Sequence, residues 1–477
     1  TCNSARRSNR RNLKKACDNN IMDTAIERYV DERREEYLEE LRSWIAIPSV
    51  SADPAHAADV RRCCERLVQR MEEIGFNARV LPTDGNPLAY GEWLGAPGKP
   101  TILIYGHYDV QPADPIELWE SPPFEGTVRD GKIYGRGSVD DKGQVLMHFA
   151  ALEAHLRTRG RLPVNVRVIV EGEEEIGSPN FEAALERYRD LFAADVAIIS
   201  DTAVFAEDVP SLTTSVRGLV NWEITVHGPA ADTHSGYYGG ILRNPIEALA
   251  RIIASLKDAD DRVAVPGFYD GVAELDAVQA AELRALPFDE STEAAQLGVP
   301  ALAGERGRLP LERMWFRPTL ECNGIWGGYQ GPGSKTIIPS WAKAKLSARL
   351  VGTQDPEPVR ALVTEYIERI APAGVRVEVQ DGGLTRAVVM SRDHAAVGAA
   401  SRAMLAGFGK APVYIGTGGS IGPVASFDRI LGLPQVMIGV GLPDDHIHAP
   451  NEKFNLAQLF GGIATMCVLY DELAEIG

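Results

Sequence analysis

The sequence predicts an α/β protein, a mostly parallel-sheet domain interrupted by a smaller inserted α+β domain of ferredoxin-like element order. Three observations predict this. Short apolar runs at 101–105, 164–170 and 195–199 alternate with helical patterns and end in Gly, Glu or Ser-Asp, as buried parallel strands do. Near 211 the character changes to half-buried strands of period two: Val220, Trp222, Ile224 and Val226, then Ala342, Ala344, Leu346, Ala348 and Leu350. With their helices they run β-α-β-β-α-β. From about 390 the first pattern resumes, so the chain divides into 22–212 with 386–477, and 213–385.

In order, residues 1–21 hold six Lys/Arg and one Asp without periodicity, and read as an added leader or disordered arm. Helical patterns follow at 23–41 and 57–74, then strands at 78–81, 88–93 and 101–105. A hairpin-like segment at 127–134 precedes a helix opening after Asp140, and a further helix at 181–189 separates two of the buried strands. In the insert, Asn244-Pro245-Ile246-Glu247 supplies an N-cap, an N1 proline and an N3 glutamate in succession. A polar, Gly/Pro-punctuated stretch at 258–318 leads to strands at 321–326 and 342–350, a helix at 357–370 and a strand at 375–379. After 390 come a helix at 396–408 and a strand at 436–440.

At 477 residues the chain is long enough for two cores, and 45% hydrophobic with 24% charged residues is globular composition. A net charge of −17 and a pI near 5.1 argue against nucleic acid or anionic membrane as partner. No apolar run approaches the roughly 20 residues of a membrane span, and no signal-peptide core precedes the first helix. Outside the first 21 residues the cysteines are Cys63, Cys64, Cys322 and Cys467, with no Cys-x-x-Cys, which fits a reducing cytoplasm.

Five clusters of acids and histidines lie just past predicted strands or in loops: His107-x-Asp109, Asp140-Asp141, Glu173-Glu174-Glu175, Asp201, and His446-x-His448 with Glu452. Singly, each has an ordinary explanation: a hydrogen-bonded core histidine, helix-capping acids or a solvated loop. Period two sets His107 and Asp109 on one side of an extended chain, where the carboxylate can orient the imidazole. Together the clusters suit a metal site, because mixed imidazole and carboxylate donors without thiolate select Zn²⁺ or Mn²⁺ with an open position for water. So many carboxylates suggest two ions about 3.5–4 Å apart with a bridging ligand, the arrangement for amide hydrolysis by a metal-activated water. A spare glutamate would then move the proton.

These residues lie in segments that resemble the M20 metallopeptidases, in particular the carnosinase-like, non-specific cytosolic dipeptidases. The segments are Gly106-His-Tyr-Asp-Val, Gly135-Arg-Gly-Ser-Val-Asp-Asp-Lys-Gly, Glu171-Gly-Glu-Glu-Glu-Ile-Gly-Ser and Ser200-Asp-Thr. Asp232-Thr-His-Ser-Gly, Gly333-Ser-Lys-Thr-Ile-Ile-Pro, Ser347-Ala-Arg-Leu-Val, Gly418-Gly-Ser and His448-Ala-Pro-Asn-Glu follow in the family's order. The resemblance implies a phosphorylase/hydrolase-like catalytic domain carrying a lid and dimerisation insert. It implies two divalent ions per subunit, Zn²⁺ or Mn²⁺, one on His107, Asp140 and Asp201, the other on Asp140, Glu175 and His448. Asp109 orients His107, and Glu174 is the general acid/base acting on the bridging hydroxide. Asp141, Glu173 and His446 fall off the ligand positions.

In the insert, the resemblance implies that Arg349 clamps the substrate's C-terminal carboxylate. His234 reaches across a homodimer interface to polarise the scissile carbonyl. Thr336, Gly419 and Ser420 match substrate-contacting positions. The sequence departs from the family at Asp381-Gly382-Gly383, where the cytosolic dipeptidases carry His-Gly-Gly. The expected activity is cleavage of dipeptides or very short peptides with a free C-terminal carboxylate. The alternatives are an amidohydrolase of N-acyl amino acids and a non-catalytic metal-binding homologue.

Overall fold

The structure, a computed structural model, describes residues 22–476; the basic leader read at 1–21 lies outside them. The described chain forms two compact units. One runs to Thr214 and resumes at Met390–Ile415 and from Gly422; the other is Ser215–Val389 with Gly416–Ile421.

The first unit is built on a large sheet containing β1 (Asn77–Leu81), β2 (Leu88–Trp93), β3 (Thr101–His107), β4 (Asn165–Glu171), β5 (Val196–Ile199) and β6 (Ser211–Val216). Across the sheet the order is β1, β2, β4, β3, β5, the short strand Gln435–Met437, then β6. β4, β3, β5 and Gln435–Met437 are parallel, and antiparallel strands flank them. Both faces of the parallel centre are covered, which is why its strands are apolar throughout rather than alternating. Ile102, Ile104, Val166, Val168 and Ile198 face the main helical layer. On the other face Tyr105 makes edge-on contacts with Phe181 and Phe427. Each of these fully buried aliphatic side chains contributes on the order of 1.5–3 kcal/mol.

Two helices show how local sequence and packing meet. α1 (Ala57–Ile74) buries the stripe Val60, Cys63, Cys64, Leu67, Val68, Met71 and Ile74 and stops at Gly75, whose φ of 115° is a glycine conformation. α2 (Lys142–Arg159) is buried on every face from Lys142 to His155, so it is the central helix rather than an amphipathic cover. Its first residue, Lys142, satisfies its buried ammonium on the carbonyls of Trp44 (3.0 Å) and Ile47 (2.7 Å).

Register delivers the functional residues. The parallel pairing of β3 with β4 runs from Thr101↔Asn165 to His107↔Glu171. That of β3 with β5 ends at Tyr105↔Ile199. His107, the Glu173–Glu175 turn and Asp201 therefore leave the sheet at one edge, the carboxyl edge where ligands bind in open α/β sheets.

The second unit has β7 (Gly218–His227), α3 (Pro245–Ala254), β8 (Thr319–Gly327), β9 (Trp341–Leu350), α4 (Pro356–Arg369) and β10 (Arg376–Thr385). The sheet order β8-β9-β7-β10 and the helices on one face are the ferredoxin-like arrangement that the period-two pattern predicts. Asn244 caps α3 by accepting from the amide of Ile246 (2.9 Å), with Pro245 in the first turn. Two local expectations are corrected. The stretch 258–318 is not simply polar loop but holds the helices Ala277–Ala285, Glu290–Gln296 and Pro310–Trp315, too short for a clear period. The predicted strand at 436–440 is only Gln435–Met437, since Gly439 then donates its amide to the Thr202 hydroxyl (2.8 Å) instead of to a neighbouring strand.

Candidate metal centre

Asp140 is the hub of the cluster. One carboxylate oxygen lies 3.0 Å from His107 Nε2, and the other lies 3.0 Å from His448 Nε2. His107 Nε2 is also 4.0 Å from Asp201, and His448 Nε2 is 3.1 Å from Glu175. Two overlapping triads result, His107–Asp140–Asp201 and Asp140–Glu175–His448, each with its donor atoms within 4.8 Å of one another.

The supports are as specific as the donors. His107 Nδ1 faces the Asp109 backbone carbonyl (3.0 Å) and carboxylate (3.5 Å), which turns Nε2 toward Asp140. The Asp109 carboxylate accepts the backbone amides of Glu174 (3.2 Å) and Glu175 (3.1 Å), tying the glutamate turn to the histidine's strand. Gln111 donates from its backbone (3.2 Å) and side chain (2.8 Å) to the Glu175 carboxylate, a contact with no sequence signal. Glu452 is fully buried; it takes Arg136 Nη1 (2.8 Å) and the amides of Gly137 (2.9 Å), Val139 (3.1 Å) and Asp140 (3.2 Å). It shapes the loop that presents Asp140 rather than joining the donors.

Asp141 is buried and accepts the His107 amide (3.2 Å), while Glu173 binds the Asn86 amide and Asn180 Nδ2, each at 2.9 Å. His446 is exposed, with its backbone in a left-handed conformation.

Electrostatics shows that the donors fit divalent cations. Burial, with Asp140 and Glu175 facing it, lifts the Asp201 carboxyl to about 7. Burial, then the charge of Asp201, lifts Glu174 to about 9. The hydrogen bonds that His448 donates to Asp140 and Glu175 raise its pKa to about 10. Asp140 is held ionised against its burial by His107 and His448, while Glu174 and Asp201 resist ionisation, which leaves the cluster short of fixed positive charge. Oxygen and imidazole donors supply the borderline-hard set that a divalent ion prefers.

Residues 103–472 match the profile of Peptidase family M20/M25/M40. The chain belongs to this family. The M20 peptidase is 32% identical to human Beta-Ala-His dipeptidase over 470 residues, covering 94% of this chain and 92% of the relative. It is 31% identical to the Cys-Gly metallodipeptidase of Schizosaccharomyces pombe over 465 residues, 94% and 97% of the two chains. Among solved structures, an M20 family metallo-carboxypeptidase from Sulfolobus solfataricus superposes with a TM-score of 0.81 at 32% identity, covering 92% of this chain and 99% of that one. Human carnosine dipeptidase 1 gives 0.80 at 30% identity, covering 95% and 100%. The resemblance read from the sequence segments is borne out, and the α/β fold with it. Family membership makes the M20 peptidase a divalent-metal hydrolase. Among its described residues no helix is long and apolar enough to cross a membrane.

Within the second unit, Arg349 Nη1 donates to Ser420 Oγ (2.6 Å), and the Gly419 carbonyl accepts from the Arg217 amide (3.1 Å). His234 is exposed; its Nδ1 accepts the Gly236 amide (3.0 Å) and its ring stacks on Tyr237 at 4.6 Å. The Thr336 carbonyl accepts from Ser235 (3.0 Å), and Thr233–His234 pairs with Ile337–Ile338, so Thr336 lies beside His234. Asp381, the departure from the family pattern, sits opposite buried Trp222 and pairs with Arg360 of α4 at 3.5 Å.

Proposed function

We propose that this M20 peptidase is a dipeptidase that hydrolyses the peptide bond of dipeptides and very short peptides bearing a free C-terminal carboxylate. The observation that carries the reading is Asp140 held between His107 and His448, which makes two adjoining ion sites from one carboxylate. His107, Asp140 and Asp201 hold one ion, and Asp140, Glu175 and His448 the other; Zn²⁺ suits the set best and Mn²⁺ next. Bound there, the ions supply Lewis acidity to the carbonyl and acidity to a water.

Glu174 is the proton carrier. Its amide is fixed by Asp109, and its half-buried side chain feels the charges of Asp201, His107 and Asp140 without belonging to either triad. Bound ions would favour its ionised form, and the carboxylate would then take the water's proton and return it to the leaving amine. His234 is the carbonyl-polarising donor, because its Nδ1 is occupied as an acceptor and its Nε2 therefore carries the hydrogen. Arg349, half-buried and held by Ser420, takes the terminal carboxylate; Thr336, Gly419 and Ser420 complete the substrate contacts. Exposed Tyr237 and Ile241 beside His234 support a homodimer in which His234 serves the partner subunit. Cys63, Cys64 and Cys322 with Cys467 all remain free thiols, which supports a cytoplasmic setting.

The test is a hydrolysis screen of chelator-stripped protein reloaded with Zn²⁺ or Mn²⁺. Metal-dependent release of amino acids from dipeptides is expected. Cleavage confined to N-acetyl or N-succinyl amino acids overturns the substrate class while keeping the chemistry.

A further inference from the structure

Arg217 immediately precedes β7 and is bound to the same loop as Arg349. Its Nε donates to the Gly418 carbonyl (2.8 Å) and its amide to the Gly419 carbonyl (3.1 Å), while Arg349 Nη1 holds Ser420. A Cβ on Gly418 would stand 3.3 Å from Arg217 Nη2, so the small residue keeps the guanidinium close to the loop. Arg217 Nη1 is shut off from solvent and has no hydrogen-bond partner. An orphaned buried cationic donor is costly and needs an explanation.

The surroundings supply one. Arg217 lines a cavity of about 400 Å³, together with Thr319 and Glu321 of β8. Thr319 pairs across the sheet with Arg349, and Glu321 with Ser347, so these four side chains share the face of the sheet opposite the helices. Arg217 thus borders the cavity, and Arg349 is joined to it through the Gly418–Ser420 loop that both arginines hold. Glu321 is committed to Lys257 (2.9 Å), and among the described residues no ion pair claims Arg217 or Arg349. Each guanidinium's charge is disfavoured, first by burial, and for Arg217 next by Arg349. Two guanidiniums without an ion-pair partner on one loop, one of them lining an open volume, are suited to an anion.

We propose that Arg217 is a second ligand of the substrate's C-terminal carboxylate, sharing it with Arg349. This assignment rests on the dipeptidase reading. Arg349 takes one carboxylate oxygen and the Arg217 guanidinium, turning its unpartnered nitrogen to the ligand, takes the other, which fixes the rotation of the terminal residue as well as its charge. A free acid then gains over the corresponding amide from both arginines, and the residue that carries the carboxylate lies against the cavity.

The experiment compares metal-loaded wild type, Arg217→Met, Arg217→Lys and Arg349→Met on a dipeptide and on its C-terminal amide. Arg217→Met is expected to raise KM for the free acid at least tenfold with kcat within about twofold, and to leave the amide unchanged. Arg217→Lys recovers part of the loss. Equal effects on acid and amide, or no effect on either, overturn the assignment. The same proteins are tested for thermal stabilisation by leucine, leucinamide and inorganic phosphate. Selective stabilisation by leucine that disappears in Arg217→Met supports the carboxylate site even where wild type cleaves no peptide, in which case the dipeptidase reading alone fails. Loss of phosphate stabilisation with dipeptide KM unchanged overturns the assignment, because the cavity then binds a separate anion. Where Arg217→Met does not fold, Arg217→Lys decides: a KM rise for the acid alone supports it, and equal changes do not.

Discussion

Glu452 Oε1 accepts the backbone amide of Asp140 at 3.2 Å, while its other oxygen holds Arg136 and the Gly137 amide. A buried carboxylate thus sets the backbone from which Asp140 projects. Glu452→Ala is expected to lose about 3–5 kcal/mol of stability, because Arg136 is left as an uncompensated buried charge. Glu452→Gln keeps the shape, loses less stability and still weakens metal retention. Chemical denaturation and metal content after dialysis check both; a Glu452→Ala protein of unchanged stability overturns this role.

Glu174→Gln is expected to lower kcat by about 10²–10⁴-fold with KM and metal content preserved. The substitution is nearly isosteric and leaves the amide contact to Asp109 intact. An unchanged kcat means that another group moves the proton.

Asp140→Ala is expected to lose both ions together, whereas Asp201→Ala and Glu175→Ala each weaken one. The difference follows from Asp140 belonging to both triads. Metal titration by calorimetry separates the cases, and two intact sites in Asp140→Ala exclude a bridging donor.

His148 makes stability depend on pH away from the metal centre. Burial between Tyr470 and Ser200, each 2.8 Å from a ring nitrogen, depresses it from 6.5 to about 3. Between those values the unfolded chain binds a proton that the folded chain does not, so stability is full above about 6.5 and falls as pH drops. The expected slope is about 1.4 kcal/mol per pH unit from this one residue. Denaturant melts at pH 7 and pH 5 measure it, and His148→Gln flattens the dependence; an equal slope in that variant assigns the effect elsewhere.

Much of the fold was readable because it is written in local periodicity. β3 and β4 show continuous apolar runs, and β9 shows alternation, since burial on two faces or one leaves those traces. The candidate donors were legible for a related reason: His107 and Asp201 stand just past such runs. Gln111 and Arg217 were not, because a glutamine in a loop and an arginine before a strand look like solvated residues until their partners are known. Asp381 was legible as a departure, but its pairing with Arg360 across the helical face was not.

By itself, then, the sequence determined the longer strands and helices, the ferredoxin-like order of the insert and the family, but not the short helices of 258–318. Each depends on residue type and spacing along the chain. Only the tertiary structure decided that one carboxylate oxygen of Asp140 meets His107 and the other meets His448, that Glu452 closes the loop beneath it, and that Arg217 and Arg349 meet at Gly418–Ser420. Spacing records how deeply a residue is buried. Which distant residue it is buried against is set by strand register and loop closure, and those belong to the folded chain alone.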